Sequence, residues 1–136
     1  MFENTTRIRV RYGETDQMGF VYYGIYAQYY EVGRVEMIRS LGLSYRDLED
    51  EGYIMPVLDL KINYHKPALY DDLIQIKTRI ETMPQAKIHF HYEIFNEKEE
   101  LINTGETTLF FIHKNKGRPC PPPNRLLEAL KPYFLK

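Results

Sequence analysis

Cysteine and tryptophan are the scarcest residues of this 136-residue chain, which has one cysteine, Cys120, and no tryptophan. A single thiol excludes an internal disulfide and any metal cluster built from cysteines. No histidine lies close to Cys120 in the sequence, so nothing in the pattern activates it as a nucleophile. We therefore expect Cys120 to have no part in the chemistry.

An excess of charge of one sign is also missing, because 18 basic residues balance 19 acidic ones and leave a formal net charge of -1. Such a chain has no strong field to attract nucleic acid or an anionic membrane surface. No apolar run approaches the ~20 residues that a bilayer crossing needs. The N-terminal segment MFENTTRIRVRY lacks the apolar core of a signal peptide. We expect a soluble, cytoplasmic protein that binds neither nucleic acid nor a membrane.

Apolar side chains, by contrast, are plentiful. The sequence is 43% hydrophobic and 14% aromatic, which is enough to fill a core. Its length fits one domain, and neither a linker nor an internal repeat interrupts it. We predict a single domain over residues 1–136.

Hydrophobic periodicity predicts the secondary structure. Residues 6–12 alternate as in a half-buried strand, and apolar residues from Gly24 to Leu41 follow one helical stripe. A short helix is predicted over residues 44–51, and Asn124 is predicted to cap a short C-terminal helix. Four further alternating segments predict strands in a meander: residues 58–65, 74–81, 88–94 and 101–113. This order predicts an α+β fold, with one long helix on a five-stranded antiparallel sheet.

Such a sheet is only partly covered by a single helix. A short domain buries a limited fraction of its surface, and sheet edges are prone to pair. We expect the chain to self-associate edge to edge.

The most informative stretch, Tyr12–Gly33, places the carboxylate of Asp16 in a polar loop just ahead of the long helix. A helix N-terminus offers unpaired N–H groups and the positive end of the helix dipole. A carboxylate at that position is a candidate for acyl chemistry. From spacing alone, a turn or capping role for Asp16 is the commoner one.

The loop and helix start resemble the signature of hotdog-fold acyl-CoA thioesterases, in particular the 4-hydroxybenzoyl-CoA thioesterase-like group. The residues that match are Tyr12, Glu14, Thr15, Asp16, Gly19, Val21, Tyr22, Tyr23, Gly24 and Tyr26. The segment from Tyr64 to Asp72 also resembles the family's loop between its second and third strands. The resemblance implies a hotdog fold and hydrolysis of an acyl-CoA thioester to free acid and CoA, without a metal or redox cofactor. It also implies a homodimer or homotetramer with active sites at subunit interfaces.

The same resemblance assigns catalytic roles to Asp16 and Tyr23, and the unpaired amides expected at the helix start add Gly24. Asp16 matches the family's catalytic aspartate, which acts as a base toward water or as a nucleophile. Tyr23 matches the residue at the helix N-terminus whose backbone N–H meets the thioester carbonyl, and Gly24 supplies the next amide. Many relatives have histidine at the position of Tyr23. A backbone donor survives that change, whereas a role that needs an imidazole does not.

Three further residues are predicted to contact the substrate: Tyr22, Gly19 and Lys66. Tyr22 lies at the mouth of the helix, where its ring and hydroxyl suit an acyl pocket. Gly19 has no Cβ to hold a substrate away from the backbone, and Lys66 carries a charge for the phosphates of CoA. Tyr26 and Tyr30 fall on the apolar stripe of the helix and are expected mainly in the core.

Two histidines, His89 and His91, lie on one face of a predicted strand because they are two residues apart. Two imidazoles can begin a zinc site, but the sequence shows no third ligand. No metal site is predicted.

Two other functions stay open. One is a thioesterase for acyl groups carried by acyl-carrier protein, and the other is a non-catalytic acyl-CoA-binding module that uses the same pocket. A hotdog dehydratase would need an Asp–His pair, and no histidine precedes His65. Release of free thiol from acyl-CoA distinguishes the hydrolase from the binding module.

Overall fold

The computed structural model describes residues 1–135. Its strands are β1 (Phe2–Arg9), β2 (Tyr53–Ile54), β3 (Val57–Tyr64), β4 (Leu73–Ile80), β5 (Lys87–Phe95), β6 (Leu101–Phe110), β7 (Ile112–His113) and β8 (Arg118–Pro119). Its α-helices are α1 (Tyr26–Ser40), α2 (Tyr45–Asp50) and α3 (Asn124–Leu130), and single 3₁₀ turns cover Tyr12–Glu14, Tyr23–Ile25 and Lys131–Tyr133. Among the described residues, none of the helices combines the length and the apolarity that crossing a bilayer requires.

The main sheet has five antiparallel strands in the order β1-β4-β5-β6-β3, which confirms the predicted strand number and orientation. The predicted meander is wrong for β3, which lies at the far edge next to β6, with Tyr64 paired to Asn103. Alternation along a strand specifies its buried face but not its neighbour, so the sequence pattern could not place β3. β2, β7 and β8 form a second, small sheet.

Helix α1 packs closely on the sheet through Gly33. A Cβ at this position would lie 2.5 Å from Thr78 Oγ1 and 2.9 Å from Ile76 Cγ2, so only glycine lets the helix backbone come this near to β4. One turn earlier, Tyr30 is fully buried and its ring stacks on Tyr92 with centroids 4.2 Å apart. Burial of a large apolar side chain contributes roughly 1.5–3 kcal/mol. The face of α1 that contains Tyr30 and Gly33 therefore holds the helix in one position on the sheet.

Several predicted boundaries differ from the structure. The strand predicted over residues 101–113 ends at Phe110 as β6, and Ile112–His113 forms β7 of the second sheet. β1 begins at Phe2 and ends at Arg9, because it pairs with the full length of β4, and residues 10–12 leave the sheet. Asn124 is the first residue of α3 and not its cap; Pro123 occupies the cap position, and no side chain caps this helix.

The edge strand β3 exposes apolar side chains. Val57, Leu58, Leu60 and Tyr64 each keep about half of their surface in solvent. β3 hydrogen-bonds to β6 on one side only, so no strand among residues 1–135 pairs with its other edge. An exposed apolar edge of this kind is a template on which the strand of another chain can pair.

Candidate active site

The loop that carries Asp16 is a tight, hydrogen-bonded turn. The Asp16 amide donates to the Phe20 carbonyl at 2.7 Å, and the Gly19 amide donates to the Asp16 carbonyl at 3.0 Å. Gly19 has a φ of +81°, a backbone conformation that glycine adopts without strain. The Val21 amide then donates to the Ala68 carbonyl at 2.8 Å, so the loop is fixed against the segment before β4.

The two carboxylate oxygens of Asp16 have different surroundings. Oδ1 accepts hydrogen bonds from the amides of Met18 at 2.9 Å and Phe20 at 3.2 Å. Oδ2 takes part in none of the hydrogen bonds found among residues 1–135. Oδ1 therefore caps the turn, and its two hydrogen bonds hold the carboxylate in a fixed orientation. Oδ2 stays available for a reaction.

Asp16 and the start of the helical segment border the same cavity, which has a volume of about 290 Å³. Its lining residues are Asp16, Met18, Phe20, Val21, Tyr23, Tyr26, Tyr64, His65, Lys66 and Pro67. Asp16 also borders an adjoining groove, lined by Tyr12, Thr15, Gln17, Gly19 and Tyr70. The carboxylate thus lies at the junction of two hollows, one of which has mostly aromatic and apolar walls.

Two backbone donors stand free at the start of the helical segment. Tyr23 and Gly24 are the first two residues of the 3₁₀ turn that leads into α1, so their amides have no carbonyl one turn earlier to bond. The amides on either side are occupied: Tyr22 donates to the Glu14 carbonyl and Ile25 to the Tyr22 carbonyl, both at 2.9 Å. Within residues 1–135, no acceptor bonds the Tyr23 or Gly24 amide.

A hydroxyl from the edge strand fixes the peptide between these two donors. Tyr64 Oη donates to the carbonyl oxygen of Tyr23 at 2.9 Å. Because a peptide group is planar, holding this carbonyl also fixes the direction of the Gly24 N–H. The placement of β3 beside β6 therefore sets the direction of a donor at the start of the helix.

The predicted site residues are only partly brought together. Tyr23 and Lys66 line the cavity with Asp16, and Gly19 lines the adjoining groove. Tyr22 does not line the cavity but packs its ring on that of Tyr23, with centroids 4.6 Å apart.

Two of these residues have further contacts that bear on their predicted roles. A Cβ at Gly24 would lie 3.0 Å from Tyr22 Cε2, so the glycine leaves room for the neighbouring ring. Lys66 forms an ion pair with Glu100, and this hydrogen bond holds the pKa of Glu100 below its usual range. Part of the Lys66 charge is therefore already neutralised within the chain.

Seven of the ten cavity residues were not predicted as site residues, and three of these seven, Tyr26, Tyr64 and His65, carry a hydroxyl or an imidazole. Tyr26 is buried as expected, yet it also forms a wall of the cavity, and its hydroxyl accepts a bond from the Ala68 amide at 3.2 Å. Burial raises the pKa of Tyr26, so the hydroxyl stays protonated. His65 lies 3.1 Å from Thr104 Oγ1 through Nε2. The match of residues 64–72 to the family loop was the signal that could have included Tyr64 and His65.

Behind the loop, Glu14 is a buried carboxylate that joins the loop to α1. It accepts bonds from the Arg11 amide at 2.9 Å and from the Tyr29 hydroxyl at 3.0 Å. Burial raises the pKa of Glu14, but the bonds from the Arg11 backbone and side chain and from Tyr29 outweigh it, so the pKa lies below its ordinary value. Glu14 is therefore ionised and holds the 3₁₀ turn Tyr12–Glu14 against helix α1.

Comparison with known proteins places the chain in a family. Residues 10–130 match the model of the thioesterase-like superfamily. A curated relative, YneP of Bacillus subtilis, is 37% identical over 119 residues, which cover 88% of this chain and 86% of YneP. The acyl-CoA thioester hydrolase YbgC of Escherichia coli is 31% identical and covers 91% of this chain and 92% of YbgC.

A solved structure agrees with these relatives. The DHNA-CoA thioesterase of Staphylococcus aureus has a TM-score of 0.85 and 41% identity, and covers 98% of this chain and 85% of that chain. The matches confirm the predicted hotdog fold and the predicted class of thioester hydrolase. The chain belongs to the thioesterase-like superfamily.

Proposed function

We propose that this chain hydrolyses acyl-CoA thioesters in the cavity beside Asp16. One observation supports the proposal above the others. A carboxylate with one oxygen held and one oxygen free borders the same cavity as Tyr23, the first of two residues with unpaired amides. Hydrolysis of a thioester needs a base or nucleophile near the attacked carbon, which a free carboxylate oxygen supplies, and donors near the carbonyl oxygen.

Each step follows from these groups. In the base route, Asp16 Oδ2 takes a proton from water while the water oxygen attacks the thioester carbon. The carbonyl oxygen becomes an oxyanion, and the amides of Tyr23 and Gly24 donate to it. When the oxyanion collapses, the C–S bond breaks, the CoA thiolate leaves and takes up a proton, and the free acid remains. In the nucleophile route, Oδ2 attacks the carbon itself, and the C–S bond breaks to release the CoA thiolate and leave a mixed anhydride. Water then hydrolyses this anhydride, which frees the acid and restores the Asp16 carboxylate.

The amide donors are well suited to this task because they belong to fixed backbone. Donors that are already oriented need no rearrangement when charge develops, and one such donor is typically worth about 100- to 1000-fold in rate. The Tyr64 hydroxyl holds one of the two amides in direction through the Tyr23 carbonyl. No metal or redox cofactor is needed for either route.

An aromatic acyl group is the substrate class that the cavity favours. Phe20, Tyr23, Tyr26 and Tyr64 supply four rings to its wall, and flat apolar groups pack well against such rings. The relative from Staphylococcus aureus is named for DHNA-CoA. We therefore propose that aromatic acyl-CoA thioesters are hydrolysed faster than aliphatic ones of similar size.

The test is free-thiol release from a panel of aromatic and aliphatic acyl-CoA thioesters by the purified chain and by Asp16→Asn. The asparagine keeps the shape and an oxygen for the Met18 and Phe20 amides but cannot accept a proton. We expect kcat to fall by about 100- to 10,000-fold, the usual worth of a general base. Asp72→Asn is the matched control, because Asp72 also caps a turn, accepting from the Leu69 amide at 2.9 Å, and does not line the cavity.

The outcomes separate the alternatives. Near wild-type turnover by Asp16→Asn would remove Asp16 from the mechanism. If Asp72→Asn lowered kcat by the same factor, the effect of Asp16→Asn would be explained by the loss of a turn-capping carboxylate. Saturable binding of acyl-CoA without thiol release would favour the binding module. Thiol release only from acyl groups on acyl-carrier protein would favour the carrier-protein thioesterase.

Self-association through β3 is a separate part of the proposal, as a homodimer or a homotetramer. It is supported by the unpaired edge and the exposed apolar side chains of this strand. Leu60→Lys should shift the chain to a smaller species in sedimentation at fixed concentration, whereas Lys61→Gln, on the other face of β3, should not. A wild-type chain that stays monomeric at every concentration would exclude this part.

A further inference from the structure

A cluster of two histidines and one glutamate lies on the face of the main sheet opposite α1. His89 and His91 alternate along β5 with Phe90 and Tyr92, which are buried toward the helix. Glu106 on β6 pairs in register with His91. The sequence gives the two histidines a common face, but only the pairing of β5 with β6 supplies the third side chain.

We propose that His89, His91 and Glu106 form a binding site for a divalent zinc-like cation. His91 Nδ1 lies 3.1 Å from Glu106 Oε1, and His89 Nε2 lies 3.5 Å from the same oxygen. One donor atom from each residue lies within 4.8 Å of the other two. Ligands at the usual zinc distances of about 2.0–2.2 Å are roughly 3.3 Å apart in a tetrahedron, so small side-chain movements close the site.

The outer contacts of both imidazoles support this assignment. The second ring nitrogen of His89, Nδ1, lies 2.7 Å from Thr108 Oγ1. The second ring nitrogen of His91, Nε2, lies 3.6 Å from Glu81 Oε1. Each ring therefore has one nitrogen toward Glu106. The other nitrogen of His89 is within hydrogen-bond distance of Thr108, as in metal sites where an outer partner orients the histidine, and that of His91 faces the Glu81 carboxylate at a longer distance.

The neighbouring basic side chains, Arg79 and Lys61, form no ion pair with Glu106 among the described residues. Arg79 pairs with Glu81 at 3.0 Å and with Glu93 at 3.6 Å. Lys61 pairs with Glu106 in strand register, yet no ion pair joins these two in the described part of the chain. The cluster is partly open to solvent, so an ion can enter and water can complete its coordination.

The donor set decides the class of cation. Two imidazole nitrogens and one carboxylate suit Zn²⁺ and neighbouring first-row ions, whereas Mg²⁺ and Ca²⁺ prefer sites made of oxygen alone. The site uses none of the residues that line the Asp16 cavity, so it is independent of the proposed hydrolysis.

The experiment measures Zn²⁺ binding by the whole chain after treatment with a chelator and its removal. Titration against a chromogenic chelator should give one ion per chain. His91→Asn and Glu106→Gln should each weaken binding by more than about 100-fold, and Thr108→Val, which removes an outer partner, by about 10-fold. Glu93→Gln is the matched control, because Glu93 lies on the same face of β5 but outside the cluster. His113→Asn controls for binding by a single surface histidine.

Co²⁺ provides a second reading that needs no variant. Bound at this site, it should show the visible bands of a low-coordinate ion without the strong near-ultraviolet band of a thiolate ligand, which Cys120 would give. Binding to the wild-type chain no tighter than to Glu106→Gln would overturn the proposal. So would equal weakening by Glu93→Gln, or a thiolate band that disappears in Cys120→Ser.

Discussion

Replacement of Glu14 by glutamine tests how the 3₁₀ turn Tyr12–Glu14 is held against α1. The change keeps the size of the side chain and one acceptor oxygen but removes the charge. In the wild-type chain, the carboxylate accepts bonds from the Arg11 backbone at 2.9 Å, from the Arg11 side chain at 3.0 and 3.2 Å, and from the Tyr29 hydroxyl at 3.0 Å.

The size of the effect can be worked out bond by bond. A hydrogen bond to a buried charged group contributes about 1.5–3 kcal/mol, and the bond from the buried Tyr29 belongs to this class. The Arg11 side chain is 79% exposed, so its ion pair adds only about 0–1 kcal/mol after screening by solvent. The Arg11 amide and the Tyr29 hydroxyl both donate to Oε1, so both can still donate to the glutamine oxygen, but a bond to this neutral acceptor contributes only about 0.5–1.5 kcal/mol. We expect Glu14→Gln to lower the free energy of unfolding by about 1.5–3 kcal/mol at pH 7.

The stability that Glu14 contributes depends on pH, and it decreases in acid. The folded pKa of Glu14 is lowered, so its contribution is present in full above the unfolded value of about 4.3 and is lost as the pH falls through the folded pKa. The difference between wild type and Glu14→Gln should therefore be largest at neutral pH and should shrink below about pH 4.

Urea unfolding at fixed protein concentration, at pH 7 and at steps down to about pH 3.5, measures both quantities. Glu36→Gln is the control, since Glu36 lies partly exposed on α1 and pairs with the exposed Arg39 at 2.8 Å, and it should cost less than about 0.5 kcal/mol. A loss of equal size at every pH would mean that packing and not charge anchors the turn. A loss no larger than that of Glu36→Gln would refute the reasoning.

Two further predictions concern packing and catalysis. Gly105→Ala should destabilise the fold by about 1–3 kcal/mol in urea unfolding, because a Cβ there would overlap the buried ring of Tyr30, whereas Gly13→Ala meets no atom within 4 Å and should show no such overlap penalty. Tyr64→Phe, which frees the Tyr23 carbonyl, should lower kcat by up to about 10-fold with little change in KM, since misdirecting one oxyanion donor costs less than the roughly 100-fold of losing it. An increase in KM at constant kcat would instead mean that Tyr64 serves binding alone.

Much of the fold could be read from local pattern. The alternation of Ile74, Ile76 and Ile80 on β4 correctly gave both strand type and buried face, since period-two burial is a property of the strand itself. The ends of elements were less secure. β1 extends to Phe2 because its partner β4 does, and nothing in residues 2–5 alone indicates that partner.

The candidate site divides in the same way. Asp16 and Tyr23 lie seven positions apart in one matched segment, so the sequence itself indicated that they are neighbours. The places of Tyr64 and His65 in the cavity wall were not visible in the sequence. Both residues lie at the end of β3, and the hydrophobic pattern assigned the wrong neighbour to this strand.

The sequence by itself determined the elements, their buried faces and the loop with its carboxylate, because these depend on residues close together in the chain. The tertiary structure alone decided that β3 lies beside β6, which brings the Tyr64 hydroxyl to the Tyr23 carbonyl, and that Glu106 lies opposite His91. Strand pairing joins residues far apart in the chain, and side-chain periodicity contains no term for which strand becomes the neighbour.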